Sequence, residues 1–402
     1  MTAPHALVSG ASIAGLSTAF WLARSGWRVT VLERAPEFRG GGQNVDVRGA
    51  ARGVVERMGI EAAIRAHTTT EEGTAFVDRR GRVLGAFPVT GSGGLTAELE
   101  ILRGDLAEVV RGALPSTVAF RFGTTVEAVH EEPGGCTRVV CSDGREESCE
   151  LLVVAEGVRS TTRDRVFGEL VTRRELGLEM VYATIERTAR DDRWWRWYLA
   201  TDSRQVTLRP DNHGTTRATL AFIDRDADLT HLRGEALLAE LDSRFRGAGW
   251  ETDRVLEALR DSRDVYSDHL TQIHMPAWVR GRTVVTGDAA WCVTPLGGGG
   301  ASLALLGGYV LAAFLSQHPQ DHARALAEYE QWLRPLVTDS QKLPPGLPRV
   351  FYPRTAAGVR LWQGLLRMAS AGPVRALTSR VSRVAETPRP LPEIVLPERS
   401  AD

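Results

Sequence analysis

The sequence predicts a mixed α/β fold: a parallel-sheet domain, an antiparallel-sheet domain inserted into it, and helices at the C-terminal end. Three observations predict it. The first 35 residues read as strand, glycine-rich turn, helix and strand. Two later segments, Leu151 to Ala155 and Arg282 to Thr286, have the pattern of strands buried on both faces, as parallel strands are. Between about 178 and 223 the strands instead alternate in polarity, which suits a sheet with one wet face.

In chain order, Ala6 to Ser9 is the first strand, and the turn Gly10-Ala11-Ser12-Ile13-Ala14-Gly15 follows it. Leu16, Ala19, Phe20 and Ala23 then recur at the spacing of one buried helix face, and Gly26 closes that helix. Val29 to Leu32 is a β-branched strand ending in Glu33-Arg34. A helix is expected over Ala50 to Met58, a hairpin over 74–88 turning at Arg80-Gly81, and a helix over Arg103 to Leu114. Thr137 to Ser142 and Cys149 to Ala155 read as strands joined through Asp143-Gly144. Trp194 to Tyr198, Gln205 to Arg209 and Thr216 to Phe222 form the antiparallel sheet, with helices over Gly234 to Phe245 and Thr252 to Arg260. An amphipathic helix carries Trp362, Leu365, Leu366 and Ala369 on one face, and a Pro-rich tail from Pro388 to Pro397 is extended.

Composition excludes several functions. The 49 basic and 50 acidic residues leave a net charge of −1, so no global field draws nucleic acid or an anionic membrane. Lys342 is the only lysine, which removes both a Gly-Lys-Ser/Thr phosphate loop and a buried Schiff-base lysine. Cys136, Cys141 and Cys149 form no Cys-x-x-Cys pair, and His318 and His322 flank Pro319 without a metal motif; neither a disulfide scaffold nor a metal is expected. The uncharged stretch from Pro295 to Ser316 has a helical part of 16 residues from Ala301. At about 24 Å that part falls short of the roughly 30 Å hydrocarbon core, so it reads as a core helix. No basic cluster opens the chain, so a cytoplasmic protein is expected.

The glycine-rich turn carries the first chemistry. A strand feeding such a turn aims the free N–H groups and positive dipole of a helix N-terminus at a pyrophosphate. Glu33, 23 residues after Gly10, stands where an acid takes the ribose hydroxyls. Ser12 replaces the usual second glycine, and its hydroxyl can donate to the phosphate. Gly10 to Ala14 also matches a strand–Gly-x-Ser-x-small–helix nucleophile elbow, although Gly15 and Glu33 then stay unexplained. Two further turns, Ala155-Glu156-Gly157 and Thr286-Gly287-Asp288-Ala289-Ala290, each place an acid beside a glycine after a buried strand.

With these three motifs in this order, the sequence resembles the class A flavoprotein monooxygenases of the para-hydroxybenzoate hydroxylase type. It is most similar to their antibiotic- and polyketide-tailoring and tetracycline-inactivating branch. The resemblance implies a Rossmann-like FAD-binding domain over 1–73, 101–177 and 265–340, and a substrate-binding sheet domain over 74–100 and 178–264. C-terminal helices and tail then occupy 341–402. It implies non-covalent FAD, its pyrophosphate cradled by Gly10, Ser12, Ala14 and Gly15, its ribose on Glu33, and Arg34 on the adenine side. Arg48 and Arg103 would contact the cofactor, Asp288 the ribityl chain, and Pro295, Gly298, Gly299, Gly300 and Ala301 the isoalloxazine ring. Four departures from the family pattern are Ser12, Glu156 in place of Asp, Trp291 after Gly-Asp-Ala-Ala, and Gly299 where the residue before Gly300 is often polar.

The implied reaction is reduction of FAD by a transiently bound NAD(P)H, followed by addition of dioxygen to give a C4a-hydroperoxyflavin. Its distal oxygen passes to an electron-rich carbon of a small aromatic or polyketide-like substrate. The chain carries no second dinucleotide fingerprint; Gly91 to Gly94 follows no convincing buried strand. Candidate pocket residues are Arg209, Phe222, Trp291 and Pro295, with His213 placed in a turn and about half of Trp194 to Tyr198 facing away from the flavin. No general base stands out. A reductase, dehydrogenase or halogenase on the same fold, or a non-catalytic flavin binder, remains the alternative. No nucleic acid or membrane partner is expected, and the state is monomer or homodimer.

Overall fold

Strands apolar on both faces must be covered twice, and the chain does so with a six-stranded sheet between helices. Its order is Val279–Arg280, Thr283–Val285, Leu151–Val154, His5–Ser9, Arg28–Glu33 and Ala119–Phe122. All neighbours are parallel except the Val279–Arg280 edge. This is a computed structural model, and it describes residues 3–38, 40–69, 71–89, 99–132, 134–343, 351–369, 387 and 389–396. Helix Ile13–Arg24 crosses helix Gly300–Gln317 closely because Gly308 lacks a side chain: a Cβ there would stand 2.4 Å from the Thr18 nitrogen. At 18 residues the second helix is longer than the sequence pattern indicates and apolar enough to cross a membrane, yet it is 72% buried inside the protein. The extended tail straps this helix, with Tyr309 donating to the Pro392 carbonyl (2.7 Å) and Leu391 and Ile394 packing on the core.

The second sheet has seven strands. Their order is Tyr266–His274, Thr172–Glu186, Thr215–Ile223, Arg204–Pro210, Trp194–Ala200, Gly73–Val77 and Val83–Pro88. Its polar–apolar alternation sorts the two faces. Val181, Val206, Leu220 and Phe222 meet helices Gly234–Phe245 and Thr252–Ala258. Leu178, Ala221 and Leu270 pack instead with Leu296 of the nucleotide-type domain and Tyr352. Thr172–Glu186 is one strand with a bulge between Glu175 and Glu179. The sheet therefore takes in residues 172–177 and 266–274, which the sequence division assigned to the other domain.

One strand assignment needs correction. Asp143-Gly144 joins Thr137–Cys141 to Glu146–Cys149 in a three-stranded side sheet, and Leu151–Val154 is a separate strand of the parallel sheet. Glu146 to Cys149 alternates and suits a one-sided sheet, whereas Leu151 to Val154 is buried throughout. Gly91 to Gly94 lies outside the described residues.

Candidate functional site

The first turn is built by contact distances that only glycine satisfies. Gly10 has φ +108°, and a Cβ there would stand 2.4 Å from the Ala155 carbonyl oxygen. A Cβ on Gly15 would stand 1.8 Å from the Gly10 carbonyl oxygen. Both glycines press the start of helix Ile13–Arg24 onto the strand ends. Ser12 is the N-cap but its side chain caps nothing; its hydroxyl accepts a hydrogen bond from Arg103 Nη2 at 2.9 Å. The helix N-terminus thus keeps its free N–H groups, with a guanidinium beside them. Glu33 accepts from the Ala11 and Ala35 N–H groups, both at 2.9 Å, which fixes its carboxylate beside the turn, and Arg34 is exposed next to it.

The third turn converges on the first. A Cβ on Gly287 (φ +62°) would stand 2.6 Å from the Ala14 Cβ, so the Asp288 turn packs directly on the first helix. Asp288 Oδ1 lies 3.7 Å from where a Gly300 Cβ would be, at the N-terminus of helix Gly300–Gln317. Asp288 keeps an accessible face, although protein crowds its carboxyl from the other sides. Burial pushes its pKa up, and the Arg103 guanidinium draws it back. Ser302 fastens a second loop to this helix: its hydroxyl donates to the Asp46 carbonyl and accepts from the Arg48 N–H, each at 2.9 Å. Arg48 pairs with Asp46 at 2.8 Å. Pro295 lies in the turn Thr294–Gly297, followed by Gly298 (φ +70°) and Gly299 (φ +71°) before Gly300 and Ala301 open the helix.

Gly10, Ser12, Ala14, Gly15, Glu33, Arg103, Asp288 and the Gly300 helix start therefore form one contiguous line. Sequence reasoning missed Asp268 and Tyr266. Burial pushes the Asp268 carboxyl up, and Asp288 adds to the effect. Tyr266 stacks on Tyr182 (5.0 Å) and donates to Gln43 Oε1 at 2.5 Å. Alternation along Tyr266–His274 could have flagged both, because 266, 268 and the buried Leu270 share a face. Arg163 was also missed. It is fully buried and bridges the Val158 and Ala289 carbonyls, each at 3.0 Å.

Glu156 is a loop anchor. It accepts from Ser9 Oγ (2.5 Å), Ser160 Oγ (2.7 Å), Thr162 Oγ1 (2.6 Å) and the Thr162 N–H (3.1 Å). The added methylene, compared with Asp, lets it reach the start of helix Thr161–Phe167.

The pocket candidates fare unevenly. Phe222 is corrected: it faces the helix side of the sheet, 6.0 Å from the Phe245 ring, and Ala221 and Ile223 face the nucleotide-type domain instead. Trp291 is corrected to a core residue: it is 1% exposed, 4.5 Å from the Trp278 ring, with Gly307 against its far edge. Arg209 faces the inner side but is engaged by Glu71 and Glu100 and lies 3.9 Å over the Trp195 ring. His213 is a turn residue whose ring meets Asp105 at 3.0 Å. No cluster of metal-ligating side chains occurs among the described residues.

Comparison with known proteins bears on this arrangement. The family described as FAD binding domain matches residues 4–340. An uncharacterised protein of Mycobacterium tuberculosis is 36% identical over 356 residues, covering 85% of this chain and 94% of its own length. The flavin-dependent monooxygenase eupH of a Phoma species is 34% identical over 92% of this chain and 93% of its own. Among solved structures, tetracycline destructase Tet(51) is similar at a TM-score of 0.78 and 29% identity, over 94% of this chain and 99% of that one.

Proposed function

Because the chain belongs to the FAD-binding family of flavin-dependent monooxygenases, we propose that it hydroxylates or epoxidises a small aromatic or polyketide-like compound with NAD(P)H and dioxygen. The observation that carries this reading is the acid Asp288, set at a helix N-terminus and within the field of Arg103, which donates to Ser12 of the first turn. The donor set fits FAD. Two glycine-dependent close contacts leave room for a pyrophosphate, Glu33 suits a ribose, and the start of helix Gly300–Gln317 suits the electron-rich end of a reduced flavin.

Bound FAD supplies the redox chemistry, accepting a hydride and passing one oxygen atom of dioxygen to the substrate. The chain's own residues bind, orient and exclude water. Ser12 and Arg103 would hold the pyrophosphate, and Asp288 would orient the ribityl chain. Leu296, Tyr352 and the inner sheet face form the dry wall over which substrate lies. That face is rich in aromatic side chains: Trp197 lies 5.7 Å from Phe76, which lies 5.3 Å from Trp362. Flat, multi-ring substrates suit it, in keeping with a relative named for tetracycline. A nicotinamide that visits transiently is consistent with a single dinucleotide fingerprint.

Two results test the cofactor assignment. Glu33→Ala and Asp288→Ala should each lower FAD affinity by about tenfold, near 1.4 kcal/mol, in titrations of the apoprotein. Unchanged affinity in both variants would overturn these residue roles. Ser12→Ala should lose about 0.5–1.5 kcal/mol of FAD affinity, one net hydrogen bond, whereas Ser12→Gly should be nearly neutral. Tighter binding by the alanine variant would contradict a phosphate-facing hydroxyl.

A further inference from the structure

A cavity of about 620 Å³ lies away from the Asp288 carboxyl, behind the short helix Asp288–Trp291 that carries it. Its walls come from the start of strand Thr172–Glu186, the end of strand Tyr266–His274 and the last turns of helix His322–Gln341. The volume is in the range of small-molecule sites and far exceeds that of a single inorganic ion.

The lining is chemically one-sided. Arg174, His274, Arg334 and Lys342 border the cavity, and no carboxylate among the described residues does. Arg334 is already engaged: it stacks 4.1 Å over Trp278 and donates to the Met275 carbonyl and Glu330. Lys342 has an exposed partner, Asp339, at 2.7 Å. Arg174 is different. Among the described residues its only hydrogen bond is a 3.4 Å contact to the neutral Gln272 Oε1, so its charge meets no carboxylate. Ile273, Met275, Pro276 and Val337 give the cavity an apolar side.

We propose that this cavity is a second ligand site, which takes a small organic anion with its acidic group between Arg174 and Lys342 and its apolar body along the Ile273 to Pro276 segment. The uncompensated Arg174 charge in a basic lining selects the anion, and the apolar wall and volume select an organic one. The site stands independently of the flavin assignment, because none of its side chains belongs to the cofactor line. Its ligand rests on the back of the helix that presents Asp288.

The test uses the FAD-loaded protein and anilinonaphthalene sulfonate, an aromatic sulfonate that fluoresces when it leaves water. Saturable binding at one site per chain is expected. Arg174→Glu should weaken it by at least roughly tenfold and Arg174→Lys by much less, since the exposed Arg174 carries the uncompensated charge. A second readout needs no variant: the probe should slow acylation of Lys342, the chain's only lysine, measured by peptide mass. Absence of saturable binding, equal affinity in Arg174→Glu, or an unchanged acylation rate at saturating probe would each overturn the proposal.

Discussion

Replacing Arg209 by Met should destabilise the folded protein by about 3–5 kcal/mol at neutral pH, the cost of leaving buried charge unpaired. Arg209 is the cation between Glu71 and Glu100, whose side chains are 2% and 7% exposed, and Glu100 Oε2 has no hydrogen-bond partner. Burial already pushes the Glu71 carboxyl up in the intact protein, with Arg209 opposing the shift. Without Arg209 the Glu71 carboxyl would rise further above its unfolded value, so the folded state would bind more protons than the unfolded one. Stability of the variant should therefore fall as pH rises through the unfolded carboxylate range, and recover towards about pH 4–5. Urea unfolding across pH measures this. A variant as stable as the parent at neutral pH, or one that loses stability on acidification, would contradict the buried ion cluster.

Trp291→Ala should cost about 3–5 kcal/mol as well, for a different reason. The indole fills core space between Trp278 and Gly307, and truncation leaves a void there. Since the ring packs in the core, the ratio of product formed to NAD(P)H consumed should stay at the parental value. A large diversion to hydrogen peroxide in a variant of unchanged stability would place Trp291 at the reaction cavity after all.

These two residues also mark where sequence reading stopped. The nucleotide-type unit was legible because its physics is local: Gly10, Gly15 and Glu33 act within one strand–turn–helix–strand segment. The later turns at Glu156 and Asp288 were legible for the same reason, each an acid and glycine after a buried strand. The Arg209 cluster was not, because its partners lie 138 residues away at Glu71 and more than 100 away at Glu100. Phe222 is a pocket candidate on its position in the sequence alone, which does not fix which face of the sheet it occupies. One residue of register separates it from Ala221, and only the pairing with Glu179 and Arg204 settles which face each occupies. Trp291 follows the Gly-Asp-Ala-Ala motif, a position that by family resemblance suits either the flavin-side wall or the core. Its ring packs in the core against Trp278.

Transfer of one oxygen atom from dioxygen is the central claim. The FAD-loaded enzyme should be turned over with NAD(P)H under heavy-isotope dioxygen, using a flat aromatic substrate that accelerates NAD(P)H oxidation. The product should gain one atom of heavy oxygen. A product without label, or labelled only when the heavy isotope is supplied as water, would contradict the account.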